Sequence, residues 1–317
     1  MTASLPPHLR SRGSMEAADR REEFPPLPEA LPVAVYDNHA HLEIADGENP
    51  LTYSEHLERA ASVGVVGVVQ VGTDAETSSW SADLAAQDSR VLAAVAIHPN
   101  DAPLESVSGT FDESLAILDT LAARPRVVAI GETGLDFFRT SPELQDLQRE
   151  SFREHIRLAK KHNLALQIHD RDAHQAVVDI LLAEGAPDRT VFHCFSGDRE
   201  LAEILNEHGW YASFAGTVTF GNAKGVQEAL RYIDPTRILV ETDTPFLTPT
   251  PFRGKPNGPA LVPYTLRFMA THLDRDLAEL AHQVTDNTFA VYGRWDDEPI
   301  TSPSDTMADQ PTNSGLR

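Results

Sequence analysis

Eight short runs rich in β-branched and apolar residues recur along the middle of this chain, at 33–38, 65–71, 91–97, 127–131, 164–168, 191–194, 210–214 and 238–241. Helix-like stretches separate them, at 54–62, 75–88, 142–162 and 173–184 for example, and no tight hairpin signal joins any two. Strands that alternate with helices pair in parallel. Continuous apolar runs such as Val65-Val66-Gly67-Val68-Val69-Gln70-Val71 predict burial on both faces of the sheet. Eight such units within 33–292 match a TIM (β/α)8 barrel. A doubly wound open sheet is the rival fold. It calls for a glycine-rich phosphate loop after the first strand, and Asp37-Asn38-His39-Ala40-His41 stands there instead.

With 41% hydrophobic residues the chain can fill a barrel core. Residues 1–32 are proline-rich and read as a flexible leader, with Met15 inside it as a second possible start. Residues 293–317 read as a flexible acidic tail. A lone cysteine, Cys194, gives no internal disulfide framework and suits a reducing cytoplasm. No apolar run approaches the roughly 18 residues of a membrane span. The net charge of −22 repels nucleic-acid backbone at long range.

The titratable residues fall in a telling place. Strand 1 ends in His39 and His41, strand 3 in His98, strand 5 in His169 and strand 6 in His193. Strand 4 runs into Glu132, and strand 8 into Glu241 and Asp243. In a barrel these ends converge on one face, where active sites sit. Two histidines two apart on a strand point to the same side and can share an ion. His169 and His193, one strand apart, can share a second. Glu132 lies between the pairs, and its two oxygens can bridge two cations. Asp243 can hold the attacking water and take its proton as general base, with Glu241 behind it. The expected metal set is therefore His39, His41, Glu132, His169, His193 and Asp243. Imidazole plus carboxylate suits two divalent ions of Zn, Mn, Ni or Fe, and Mg less well. Cys194 is expected to turn away from His193 and to be buried and inert. The natural chemistry is hydrolysis. Arg253 and Lys255 share a Pro/Gly-rich loop on the catalytic side and can clamp a phosphate; Arg139 and Arg171 can add to them, and Phe137 or Phe246 can stack on a base.

Five segments then carry a resemblance: Asp37-Asn38-His39-Ala40-His41-Leu42, Gly131-Glu132-Thr133-Gly134-Leu135-Asp136, Ile168-His169-Asp170-Arg171, His193-Cys194-Phe195-Ser196-Gly197 and Glu241-Thr242-Asp243-Thr244-Pro245. They resemble the signature blocks of the TatD family of metal-dependent deoxyribonucleases. The resemblance spans 37–258. It implies an amidohydrolase-type barrel, two divalent cations, and a DNase activity that is often exonucleolytic. It implies the same six ligands, and it places His98, in Ile97-His98-Pro99, in contact with substrate. The 253–255 loop resembles the family's basic loop. Glu43 departs from the pattern, since an Asp is more usual there. The expectation is a cytoplasmic monomer that binds DNA ends, or another phosphodiester, weakly. The rival activity is hydrolysis of a small ester, amide or lactone on the same centre. A metal-binding scaffold without activity is a third reading, set against six positions that all keep suitable donors.

Overall fold

The structure, a computed structural model, describes residues 9–11 and 22–295. The eight expected strands are all present: β1 Val35–Ala40, β2 Val65–Val71, β3 Val91–Val95, β4 Val127–Asp136, β5 Ala165–Arg171, β6 Thr190–Phe192, β7 Tyr211–Phe214 and β8 Ile238–Val240. They pair in parallel and in chain order from β1 to β8. Ten helices cover this sheet among the described residues: α1 Tyr53–Ser62, α2 Ala75–Gln87, α3 Ala102–Ser108, α4 Phe111–Leu121, α5 Gln145–His162, α6 His174–Glu184, α7 Arg199–His208, α8 Lys224–Tyr232, α9 Val262–Leu273 and α10 Leu277–Tyr292. The fold is a TIM barrel.

Strand alternation splits the apolar residues into two cores. Val68, Val95, Ile130, Ile168 and Phe214 pack with the helices, while Val69, Val71, Leu92, Ala129 and Leu239 form a separate cluster with Tyr292 and Trp295. Helices start where a side chain satisfies their first amide groups: Thr52 caps α1, Asp74 caps α2, Asp198 caps α7 and Asp276 caps α10. Pro142–Leu144 forms a 3-10 turn, and α5 follows it with no side-chain cap.

β1 and β8 meet through a single backbone bridge, Ala40 with Thr244. Side chains close the rest of the seam. Asp37 Oδ1 accepts the Thr242 amide at 2.9 Å and Oδ2 accepts the Thr242 hydroxyl at 2.5 Å, while Asn38 Nδ2 donates to the Val240 carbonyl at 2.8 Å. Burial pushes the Asp37 carboxyl up to about 7, even though these bonds favour its charged form.

Two expected boundaries shift. Trp295, assigned to the tail, is buried at 6% exposure and stacks on Tyr36, and its indole donates to the Arg90 carbonyl at 3.0 Å. The barrel domain therefore runs at least to Trp295; a position past the last helix shows no periodicity from which this docking could be read. The described part of the expected leader also lies against the barrel. Leu31 is buried and bonds to the Val63 carbonyl, and Arg267 holds the Glu29 and Ala30 carbonyls. Arg10–Ser11 forms a short parallel ladder with Ile44–Ala45. The remaining leader and tail residues, 1–8, 12–21 and 296–317, lie outside the described residues. Among the described residues no helix is long and apolar enough to cross a membrane.

Candidate metal centre

The C-terminal ends of β1, β4, β5 and β6 and the turn after β8 bring the six expected ligands together. His39 Nε2 and His41 Nε2 stand 3.2 Å apart. Glu132 Oε2 is 3.6 Å from both, and Asp243 Oδ1 is 3.6 Å from His41 Nε2 and 3.9 Å from His39 Nε2. Four ligand atoms around one ion at about 2.1 Å would be about 3.4 Å from one another in a tetrahedron. His41 Nδ1 meets the Val71 carbonyl at 3.0 Å, so Nδ1 carries a proton and Nε2 can turn a lone pair inward. His39 Nδ1 is buried with no hydrogen-bond partner.

Glu132 Oε1 faces the other way. It lies 2.7 Å from His169 Nδ1, 2.8 Å from His193 Nε2 and 3.3 Å from His98 Nε2. One carboxylate thus spans two nitrogen clusters. Two further carboxylates hold the rings behind it: Asp136 Oδ2 meets His169 Nε2 at 3.3 Å and Glu241 Oε1 meets His193 Nδ1 at 3.2 Å. A histidine whose far nitrogen is held by a carboxylate presents its near nitrogen as a ligand. Glu241 therefore stands behind His193, where the sequence reading had set it behind Asp243. The His39 and His193 rings stack at 3.9 Å between centroids.

The electrostatics describe the same concentration of charge. Burial raises the Glu132 carboxyl, but His98 and His193 and the bonds from His169 and His193 outweigh it and leave it well below the usual range. Burial lowers His41, yet Asp243 and Glu132 push it up to about 10; Asp136 and Glu132 likewise carry His169 up to about 9. His193 rises for the same reason. His39 falls, first by burial and then by the neighbouring His193. Carboxylates that favour positive charge on the neighbouring rings this strongly would favour bound cations in place of those protons. The donor set, its spacing and the partnerless His39 nitrogen fit divalent metal.

His98 differs from these rings. Its Nδ1 accepts the Asn100 amide at 3.0 Å, so in the neutral form the proton sits on Nε2. That nitrogen is a donor aimed at the centre rather than a bare ligand, although it stands close to Glu132 and His169. Cys194 corrects an expectation. β6 ends at Phe192, and Cys194 takes a left-handed conformation, φ 41°, that breaks the alternation. It is half-buried rather than turned away, and its amide donates to Glu241 at 2.7 Å. Burial, Asp243 and Glu241 raise its thiol well above the usual range, so it remains a poor nucleophile. Asp243 has φ 55°, a second strained backbone at the centre.

The expected phosphate residues engage neighbours of their own. Arg171 stacks over Phe138 at 4.0 Å and Arg253 over Phe220 at 4.4 Å. The exposed Arg139 donates its amide to Asp136 at 2.8 Å. Lys255 pairs with Glu22 at 2.8 Å, a partner from the stretch read as leader. Phe137 packs partly into the core, and Phe246 meets His41 edge-on. Asp136 and Asn100 were not singled out as site residues from the sequence. Asp136 lay in the quoted Gly-Leu-Asp segment, two residues past Gly134, a place where an aspartate at a strand end is a usable signal. Gly134 itself is required by close approach: it pairs with His169, has φ 132°, and any Cβ would overlap the His169 carbonyl oxygen.

Known proteins resemble this chain in sequence and fold. A family model described as TatD related DNase matches residues 36–293. The uncharacterized metal-dependent hydrolase TatD of Mycobacterium tuberculosis is 42% identical over 263 residues, which cover 81% of this chain and 97% of the relative. The uncharacterized metal-dependent hydrolase YabD of Bacillus subtilis is 41% identical over 260 residues, covering 81% and 98%. Among solved structures, the TatD homolog YJJV from Escherichia coli K12 superposes with a TM-score of 0.74 at 27% identity, covering 82% of this chain and 98% of that one.

Proposed function

Because the chain belongs to the TatD-related DNase family and is a metal-dependent hydrolase, we propose that it cleaves phosphodiester bonds of DNA, working from strand ends with two divalent cations. The observation that carries this reading is Glu132, whose two oxygens face two separate sets of imidazole nitrogens. Two cations held there by His39, His41, Asp243, His169, His193 and the shared Glu132 would acidify a water and offset charge on the phosphoryl oxygens. Asp243 lies at the edge of the first cluster and takes the proton of the attacking water. Asp136 and Glu241 keep the rings of His169 and His193 in one orientation. His98 donates its Nε2 proton to a substrate oxygen. Arg253 and Arg171 meet backbone phosphates at the rim.

The net charge of −22 supports weak binding of a strand end over a long tract. It also favours the second reading, hydrolysis of a small ester, amide or lactone. We further propose a cytoplasmic site of action and a monomer; the single Cys194 supports the first. The test is an assay of purified protein on end-labelled single-stranded DNA and on small esters and lactones, with Zn, Mn, Mg, Ni or Fe added singly. Progressive shortening from one end, abolished by chelator and restored by metal, is expected. Turnover of the small substrates alone would select the second reading.

A further inference from the structure

Phe138 is 63% exposed, and it is the one phenylalanine among the exposed large hydrophobic residues described. Its neighbour Phe137 shows the ordinary fate of such a ring, partly buried with the Arg149 guanidinium over it at 4.8 Å. Phe138 has instead the Arg171 guanidinium 4.0 Å from its centroid and open solvent over most of its surface. The pair stands on rigid ground. Asp136 pairs with Arg171 in the β4–β5 register, and the Phe137 amide bonds to the Arg171 carbonyl at 2.9 Å. The pair also stands beside the centre. Phe138 is two residues past Asp136, Arg171 is two past His169, and Asp136 and His169 touch at 3.3 Å. The step from His169 to Arg171 lies within β5 and amounts to about 7 Å, while Phe138 sits in the turn that follows β4.

An isolated exposed aromatic needs no explanation. An aromatic face joined to a cation, one short step from a hydrolytic centre on a strongly acidic protein, offers two things at once: a flat apolar surface and a guanidinium within reach of an anion. A nucleotide carries both complements, a π-faced base and a phosphate. We propose that Phe138 and Arg171 form a stacking platform for an unpaired base next to the bond being cut, with Arg171 also reaching that nucleotide's phosphate. The proposal rests on the DNA reading above and adds a selectivity to it. A base inside a duplex has both faces covered, so the platform favours single-stranded or frayed ends, and it tolerates any base because every base has a face to stack.

The test is binding rather than turnover. Affinity for a short oligothymidine, labelled at its far end, is measured by fluorescence anisotropy at low salt for the full-length protein, Phe138→Ala and Phe138→Trp. The same oligonucleotide with an abasic terminal nucleotide serves as control. Stacking is worth about 1–3 kcal/mol per base, so Phe138→Ala is expected to bind about 5- to 150-fold more weakly. Phe138→Trp should restore affinity, and the abasic strand should bind all three proteins equally poorly. Unchanged affinity in Phe138→Ala, equal weakening toward both strands, or no binding by the wild-type protein would each overturn the platform. Binding that follows the expected pattern without any cleavage would leave the platform standing and remove the DNA-hydrolase reading.

Discussion

Glu241 Oε1 holds His193 from behind, 3.2 Å from Nδ1, while the opposite nitrogen of the same ring lies 2.8 Å from Glu132. The same Glu241 oxygen accepts the Cys194 amide at 2.7 Å and so fixes the backbone beyond the ring as well. Glu241→Gln removes the charge and keeps the shape. Loss of such a supporting carboxylate costs about 10- to 100-fold in metal affinity. That range is expected here, measured by competition with a chromophoric chelator, with circular dichroism unchanged. Wild-type affinity in the variant would mean that Glu241 serves packing alone.

Asp243 combines two features that set it apart from the other carboxylates. It faces the first nitrogen pair, at 3.6 and 3.9 Å, and its backbone is held at φ 55°. Asp243→Asn keeps the size of the side chain but cannot take a proton. A general base contributes about 10²- to 10⁴-fold, so kcat should fall by that factor or more while thermal unfolding stays close to wild type. Turnover within a few-fold of wild type would exclude Asp243 from the proton step.

How much of this was legible in the sequence depends on the range over which each residue acts. The strands were legible because runs such as 65–71 satisfy a local rule, burial on two faces. The clustering of the six candidate ligands was legible because each sits at or near a strand end, and a parallel barrel delivers strand ends to one place. What failed depends on contacts far apart in the chain or on a local break in regularity. Nothing local to Lys255 reveals its ion pair with Glu22, more than two hundred residues away. Trp295 read as tail because nothing near it in sequence reveals the Tyr36 ring on which it stacks. Cys194 was placed by extending strand alternation two residues past Phe192, where the strand has already ended.

Acid should weaken the protein partly through His155, which is fully buried. Its Nδ1 meets the Ser151 carbonyl at 2.7 Å, and its Nε2 accepts the Ile97 amide at 3.0 Å, so the packed ring is neutral. Burial lowers its pKa to about 4, against roughly 6.5 in an unfolded chain. Below the unfolded value the unfolded chain takes a proton that the folded one refuses. Stability is therefore full above about pH 6.5 and declines toward pH 4, by roughly 2–3 kcal/mol for a shift of this size. His155→Gln keeps an acceptor for Ile97 and has no proton to gain. Urea unfolding of both proteins across this window should show a shallower decline in the variant; parallel curves would refute the assignment.

Arg10 ties a segment outside the matched family region to the mouth of the barrel. Its guanidinium reaches Glu43 at 3.1 Å, Thr73 at 3.0 Å and Asp74 at 3.4 Å, and its amide bonds to the Glu43 carbonyl at 2.8 Å. These partners lead inward. Glu43 is two residues past His41, and the Thr73 carbonyl accepts the His98 amide at 2.8 Å. Without Arg10 the Glu43 and Asp74 carboxylates keep their bonds from Gln70 and Thr77 but lose their cation, and their uncompensated charge repels an incoming phosphate. A protein begun at Met15 lacks Arg10 altogether. Arg10→Met, and the chain begun at Met15, should each raise KM for an anionic phosphodiester several-fold with kcat little changed, and leave KM for an uncharged ester untouched. Because the pair is part-exposed, the difference should shrink as ionic strength rises past about 0.1 M, where the screening length falls to about 10 Å. An equal rise in KM for charged and uncharged substrates would point to a loosened mouth rather than to lost charge compensation.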